Sequence, residues 1–213
     1  MAVFVTHGIF ASLFSILWND KKTKTTVFIL IFIASILPDI DFLFQERESR
    51  MFGHRGFTHS ILFALFTAGL FTLISSSLVK SFWRRLLLFT LFFLASASHS
   101  CLDAMTQSAY GVCFFCPFNE ERYFFPFTPF SSIAAGGGHK GFRPGLGNSV
   151  WITLLPEIFW VWIPTFAIYF FVYFSGKKDS NSGSKKNTTM FKPIQMKPRE
   201  TKNTVKPTTP KKK

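Results

Sequence analysis

The chain has 213 residues, of which 48% are apolar, 18% aromatic and 16% charged, with 30 Phe and a formal net charge of +13. Charges this sparse and clustered exclude a soluble nucleic-acid binder, despite the excess of Lys and Arg. Three Cys, few and odd in number, exclude a disulfide scaffold.

No Asp, Glu, Lys or Arg precedes Asp20, so residues 2–18 form one apolar stretch. Further uncharged stretches cover residues 25–38, 56–79 and 86–102, and a fifth, interrupted only by Glu157, covers 150–176. A helix needs about 20 apolar residues to cross the hydrocarbon. The third and fifth stretches meet that, and the first and fourth are just long enough. The second is short unless Ile40, Phe42, Leu43 and Phe44 extend it past Pro38, Asp39 and Asp41. Pro156 and Pro164 are expected to kink the fifth, which neighbouring helices make tolerable. The expected fold is all-α: a polytopic membrane helix bundle of about five transmembrane helices. The first run has no basic residue ahead of it, so it reads as a retained helix and not a cleaved signal.

Lys and Arg alternate between the loops. Lys21, Lys22 and Lys24 lie in the first and Lys80, Arg84 and Arg85 in the third, and 12 more follow from Lys177 onward. These 18 of the 24 basic residues share one side, which the positive-inside rule makes cytoplasmic. The N-terminus is then outside and the C-terminus inside, with Trp18 and Trp83 at the inner interface as anchors. Residues 1–175 form the membrane domain. Residues 176–213, rich in Lys, Ser, Thr, Asn and Pro, form a tail expected to be disordered. Its charge draws anionic lipid. It lacks the interleaved aromatics that would suggest a specific nucleic-acid partner.

All five His (His7, His54, His59, His99 and His139) fall at or near the outer face of this topology, and the inner loops contain none. Asp39 and Asp41 end the second stretch, and Asp103 ends the fourth. Ionisable groups at membrane depth are costly and face a bundle interior or a wet cavity. His and Asp from separate helices at one level can satisfy one another through a cation, since imidazole nitrogen and carboxylate oxygen are ligands of Zn²⁺ and similar ions. His99 and Asp103, four apart, share a helical face. Asp39 and Asp41 can aim at one site if the backbone there is extended or a turn. Cys113 and Cys116 read as structural or incidental cysteines, with a disulfide as the next alternative. The run at Gly136, Gly137, Gly138 and Gly141 lacks the context of a phosphate loop and reads as a flexible loop. His139, within it, is a further candidate ligand.

Thr6-His7-Gly8, Pro38-Asp39-Ile40-Asp41, His54-Arg55-Gly56-Phe57-Thr58-His59-Ser60 and the segment His99 to Thr106 resemble the YdjM family of inner-membrane-bound, metal-dependent hydrolases. The segments from Tyr110 to Val112, Pro117 to Phe127 and Pro156 to Trp160 extend the resemblance over about residues 1–175. The order of His and Asp is also similar to that of zinc-dependent phospholipase C and single-strand-specific zinc nucleases. The resemblance implies a divalent metal, zinc in those relatives, held by His7, Asp39 or Asp41, His59, His99 and Asp103. Whichever of Asp39 and Asp41 does not ligate is the implied general base; with Asp39 as ligand that is Asp41. His54 is the implied proton donor, and Glu157 is a further catalytic candidate. Arg55, Asn119 and Arg122 are the implied substrate-binding residues. The implied activity is hydrolysis of an ester or phosphoester of a lipid or lipid-linked substrate at the extracytoplasmic face of a bacterial inner membrane. A non-enzymatic metal carrier or scaffold is the alternative.

Overall fold

Long apolar runs with little internal charge, whose backbone polar groups are met within a helix, favour helix, and the described residues are built almost wholly from helices. The computed structural model describes residues 4–44, 51, 53–108, 110–131 and 150–186. Helix α1 (Phe4–Ser12) passes into 3-10 turns at Leu13–Leu17, and α2 (Lys24–Ile36) into a 3-10 segment at Leu37–Phe44. The change after α2 falls at Pro38, whose nitrogen has no proton to donate to the α-helical ladder. A 3-10 turn at Phe57–His59 leads into α3 (Ile61–Ile74), and α4 covers Phe82–Ala104. Ser60 caps α3, its hydroxyl accepting from the Phe63 N–H at 3.1 Å.

The last helical run has three parts. Helix α5 (Val150–Glu157) contains Pro156, the five residues Ile158–Trp162 form a π-helical turn, and α6 runs over Ile163–Lys186. In the wide turn the Ile163 N–H reaches the Ile158 carbonyl five residues back. Pro156 and Pro164 flank this turn, and each removes one ladder donor. Where the sequence leads one to expect a kink, the helix has a π-helical turn, a recognised consequence of a disrupted ladder.

Residues late in α1 and α3 meet residues early in α2 and α4. Ala11, Trp18, Val27, Ile31, Phe71, Val79, Leu88 and Phe92 all belong to one buried cluster. The four helices therefore run up and down, and the start of α1, the end of α2, the start of α3 and the end of α4 meet at the opposite end. Small residues let the backbones close in: Ala34, Ala68 and Ala95 are fully buried. Trp18 departs from the expectation of an interfacial anchor. It is buried in this cluster, and its indole N–H donates to Thr23 Oγ1 at 2.9 Å. Trp83 is exposed, as an anchor requires.

Among the described residues five helical runs fit the sequence reading, and two spans, Phe82–Ala104 and Leu154–Ser175, are long and apolar enough to cross a membrane. Phe4–Leu17 and Ile61–Ser77 are apolar but shorter. The outward faces of the helices are strongly apolar: Leu73 is 71% exposed, Phe170 65% and Phe66 62%. Exposed apolar surface on this scale marks a face made for something other than water.

The segment after α4 folds back over the end where the helix termini meet. β1 (Thr106–Gln107) pairs in parallel with β2 (Phe130–Ser131), and Val112 bridges Tyr123 antiparallel. Three backbone bonds pin this lid: Ile61 N–H to Phe114 O, Cys113 N–H to Arg55 O and Phe125 N–H to Ala104 O, each within 3.0 Å. Cys113 and Cys116 form a disulfide, the second of the two readings left open by the sequence.

The chain divides at Val172 into two units. In the second, α6 continues to Lys186, within the segment that the sequence reading assigns to the tail. Residues 187–213 lie outside the described residues, as do His139 and the Gly-rich loop around it.

Candidate metal centre

Three helix ends bring four buried side chains to one point. Asp39 comes from the 3-10 segment after α2, His59 from the turn before α3, and His99 and Asp103 from the last turns of α4. One ligand atom from each lies within 4.8 Å of all the others, and all four residues are buried. His99 Nε2 lies 3.2 Å from His59 Nε2 and 3.4 Å from Asp39 Oδ1. His59 Nε2 is 3.4 Å from Asp103 Oδ2 and 3.6 Å from Asp39 Oδ1.

The outer nitrogens of the two rings decide what this convergence means. His99 Nδ1 lies 2.7 Å from the Ser35 carbonyl, which accepts only from an N–H, so Nδ1 carries the proton. In the neutral ring Nε2 then holds a lone pair. His59 Nδ1 is 3.3 Å from Asp41 Oδ2 and 3.0 Å from Thr58 Oγ1, whose own hydroxyl donates to Asp41 Oδ2 at 3.0 Å. That nitrogen too is the donor, and in the neutral ring Nε2 is then the acceptor. Two imidazole lone pairs and two carboxylates thus face one small volume. Among the described residues, neither oxygen of Asp39 nor of Asp103 has a hydrogen-bond partner. Asp103 Oδ2 has the Arg55 guanidinium beside it at 3.0 Å, and the remaining buried acceptors, with nothing donated to them, cost on the order of 1–3 kcal/mol each. A divalent cation removes the mismatch, and the outer-nitrogen bonds to a carbonyl and a carboxylate are the usual supports of ligating imidazoles.

The segment from His54 to Ser60 supplies the framework, and nearly every residue in it has a physical task. His54 Nδ1 is 3.1 Å from Asp41 Oδ1. Arg55 adopts a left-handed backbone, φ 63°, and is fully buried. Its N–H donates to Asp41 Oδ2 at 3.0 Å, its Nη1 to the Tyr110 carbonyl at 3.1 Å, and its Nε pairs with Asp103 Oδ2 at 3.0 Å. Gly56 is required by close packing, since a Cβ there would lie 2.2 Å from the Met51 carbonyl oxygen. Thr58 locks Asp41 to His59, and Ser60 caps α3. Strain of the kind held at Arg55 costs roughly 1–3 kcal/mol and persists where the surroundings over-determine it.

His7, on α1, borders the centre. Its ring stacks on His99 with centroids 3.9 Å apart, and Nε2 lies 3.7 Å from Asp103 Oδ1. Asp39, Asp41 and His54 form a second group whose ligand atoms also lie within 4.8 Å of one another. Glu157 is fully buried but belongs to neither group. It accepts from the Thr6 hydroxyl, and Thr6 in turn accepts from the Trp162 indole N–H at 2.9 Å. The structure thus ties Glu157 to the residue beside His7.

Arg122 and Asn119 lie in the lid. Arg122 Nη1 donates to the His54 carbonyl at 3.0 Å and to the Gly111 carbonyl at 3.2 Å, so it braces the His54 loop from behind. Asn119 is exposed, its Oδ1 accepting from the Glu121 N–H at 2.8 Å. Nearby, the hydrogen bond from Tyr123 to Glu121 holds the Tyr123 hydroxyl above its ordinary pKa. The residue that sequence reasoning placed wide of its main contact is Arg55, whose buried partner is Asp103, 48 positions away. A buried Arg leaves no periodic signal. Its neighbours His54 and Gly56 are the only hint of a special backbone.

The sequence profile of the YdjM inner membrane protein family matches residues 1–178. Among curated proteins, the inner membrane protein YbcI of Escherichia coli strain K12 is 29% identical over 167 residues, which cover 77% of this chain and 92% of that protein. No solved structure matches.

Proposed function

The chain belongs to the YdjM inner membrane protein family, and on that premise we propose that it is a multi-pass, metal-dependent hydrolase of the bacterial inner membrane, acting on an ester or phosphoester of a lipid or lipid-linked substrate. Its centre faces the extracytoplasmic side, because the loops at the opposite end carry Lys21, Lys22, Lys24, Lys80, Arg84 and Arg85. The observation that carries this reading is the convergence of His59 Nε2 and His99 Nε2 with the buried carboxylates of Asp39 and Asp103.

Asp39, His59, His99 and Asp103 would hold the cation, with His7 alongside. Those residues would suit a divalent ion such as zinc, which when bound would lower the pKa of a water toward about 7 and polarise a phosphoryl or carbonyl oxygen. The remaining residues orient and neutralise. Asp41 fixes the His59 ring through Nδ1. Ser35 does the same for His99 through its carbonyl. Arg55 offsets the charge of Asp103, and its Nη2, which has no hydrogen-bond partner among the described residues, is the donor we assign to an anionic substrate oxygen. Arg122 holds the loop that carries His54.

The amphiphilic substrate is supported by an apolar cavity of about 430 Å³ on the same helices. Phe10 lines it one turn beyond His7, Leu102 lines it beside Asp103, and Val161 lines it one turn beyond Glu157. A volume of that size is in the range of ligand pockets, and its lining suits hydrocarbon.

The test is a screen of phospholipid, lipid-linked and simple phosphoester substrates with purified protein and added Zn²⁺, Mn²⁺ or Mg²⁺. Metal-dependent turnover is expected, abolished by chelation and absent in His99→Ala with helicity intact. Equal turnover in His99→Ala would refute the assignment. Metal flux across liposomes without hydrolysis would favour a carrier.

A further inference from the structure

We propose that the centre takes two cations, not one, with Asp39 shared between them and Asp41 and His54 completing the second position. This rests on the metal-dependent reading above and extends it. The two groups of converging ligand atoms have one member in common, Asp39. Its Oδ1 faces the first group, 3.4 Å from His99 Nε2 and 3.6 Å from His59 Nε2. Its Oδ2 is also buried and also lacks a hydrogen-bond partner among the described residues. One buried carboxylate with both oxygens unmet, set between two ligand groups, is suited to bridging.

Asp41 divides its oxygens in a complementary way. Oδ2 accepts from the Arg55 N–H and the Thr58 hydroxyl and lies against His59 Nδ1, so its capacity is taken up by holding the framework. Oδ1 lies 3.1 Å from His54 Nδ1, a contact made through a proton that a cation between the two atoms would displace. These two atoms and the spare oxygen of Asp39 offer a cation two carboxylate oxygens and one imidazole nitrogen, a common hard-to-borderline donor set. Charge points the same way. Asp39, Asp41 and Asp103 bring three negative charges into a buried site against the one guanidinium of Arg55. A single divalent ion only neutralises the excess. A second leaves positive charge for an anionic substrate and a hydroxide, as in two-metal hydrolytic sites with ions about 3.5–4 Å apart. The two positions differ in access: the first is fully enclosed, whereas the His54 side chain is 20% exposed. The second ion is therefore the more readily lost.

The experiment is a metal titration of the full-length, metal-stripped protein in detergent with Zn²⁺, followed by elemental analysis after desalting, and with Mn²⁺, followed by electron paramagnetic resonance. Two Zn²⁺ per chain are expected in the parent and one in His54→Ala, a substitution at a partly exposed ring that leaves the helices in place. The doubly loaded Mn²⁺ form is expected to show a spin-coupled spectrum that His54→Ala converts to that of an isolated ion. One ion in the parent, or two in His54→Ala, would overturn the second position while leaving the single-metal hydrolase reading standing. No bound ion would overturn both.

Discussion

Asp103→Ala is expected to abolish tight cation binding and to lower stability by about 3 kcal/mol or more, because it removes a ligand and strands a buried guanidinium at once. Arg55 is fully buried and its Nε ion pair is with Asp103. Breaking a buried pair by deleting one member leaves an uncompensated charge, and inside a membrane bundle water is slow to relieve it. For a chain of this size each kcal/mol shifts a thermal midpoint by roughly 2–4 °C. A drop of about 10 °C in a detergent melt is therefore the expected reading. The double variant Asp103→Ala/Arg55→Met separates the two effects. It is expected to recover much of the midpoint, since an apolar chain of similar length replaces the stranded charge, and to recover none of the metal. A single variant that melts like the parent would show that the ion pair does not form.

Gly56→Ala is expected to cost about 3 kcal/mol, at the upper end of the overpacking range, and to lose metal binding although residue 56 touches no ligand atom. The added Cβ would meet two backbone oxygens, Met51 O at 2.2 Å and Gly53 O at 2.7 Å. Neither can rotate away as a side chain would. The turn they belong to is closed by Phe57 N–H to Met51 O at 2.8 Å and Gly56 N–H to Gly53 O at 2.9 Å. Any shift there moves His54, Arg55 and His59 together, so the clash is transmitted to both candidate ligand groups. Gly69→Ala supplies the control. Nothing lies within 4 Å of the Cβ it would add, and in the middle of α3 it is expected to be neutral or to stabilise by about 0.5–1 kcal/mol. Similar melting temperatures and metal contents for the two variants would contradict the packing argument.

The outline of the fold is legible in the sequence because hydrophobic length is a coarse signal that survives local irregularity. Five apolar stretches become five helical runs, and His59, His99, Asp39 and Asp103 can be placed at one level once alternating Lys and Arg set the direction of each run. Helix lengths are less legible. Pro38 turns the end of α2 into 3-10 geometry, and Pro156 with Pro164 yields a π-turn, so residue counts overstate the regular α-helix. Trp18 shows a second limit: an aromatic beside a charged loop reads as an interfacial anchor, yet packing between α1 and α2 buries it. The division of labour between Asp39 and Asp41 depends on partners elsewhere in the chain, from His54 to His99, and leaves no local trace. On a 3-10 helix, residues two apart point in different directions, which lets His59 sit between them, Nε2 toward one and Nδ1 toward the other. Arg55 is the clearest case. The sequence reading puts it beside the centre as a substrate-binding candidate, and only the burial of its guanidinium reveals the ion pair with Asp103.

The central claim is that Asp39, His59, His99 and Asp103 cage a divalent cation. Zinc K-edge X-ray absorption on the full-length protein, saturated with Zn²⁺ and desalted, tests it most directly. The account predicts a first shell of nitrogen and oxygen at about 2.0–2.1 Å, with the outer-shell scattering of imidazole and no sulfur. An unmetallated protein after saturation, or a shell with sulfur at about 2.3 Å that moves the ion to cysteine, would contradict it.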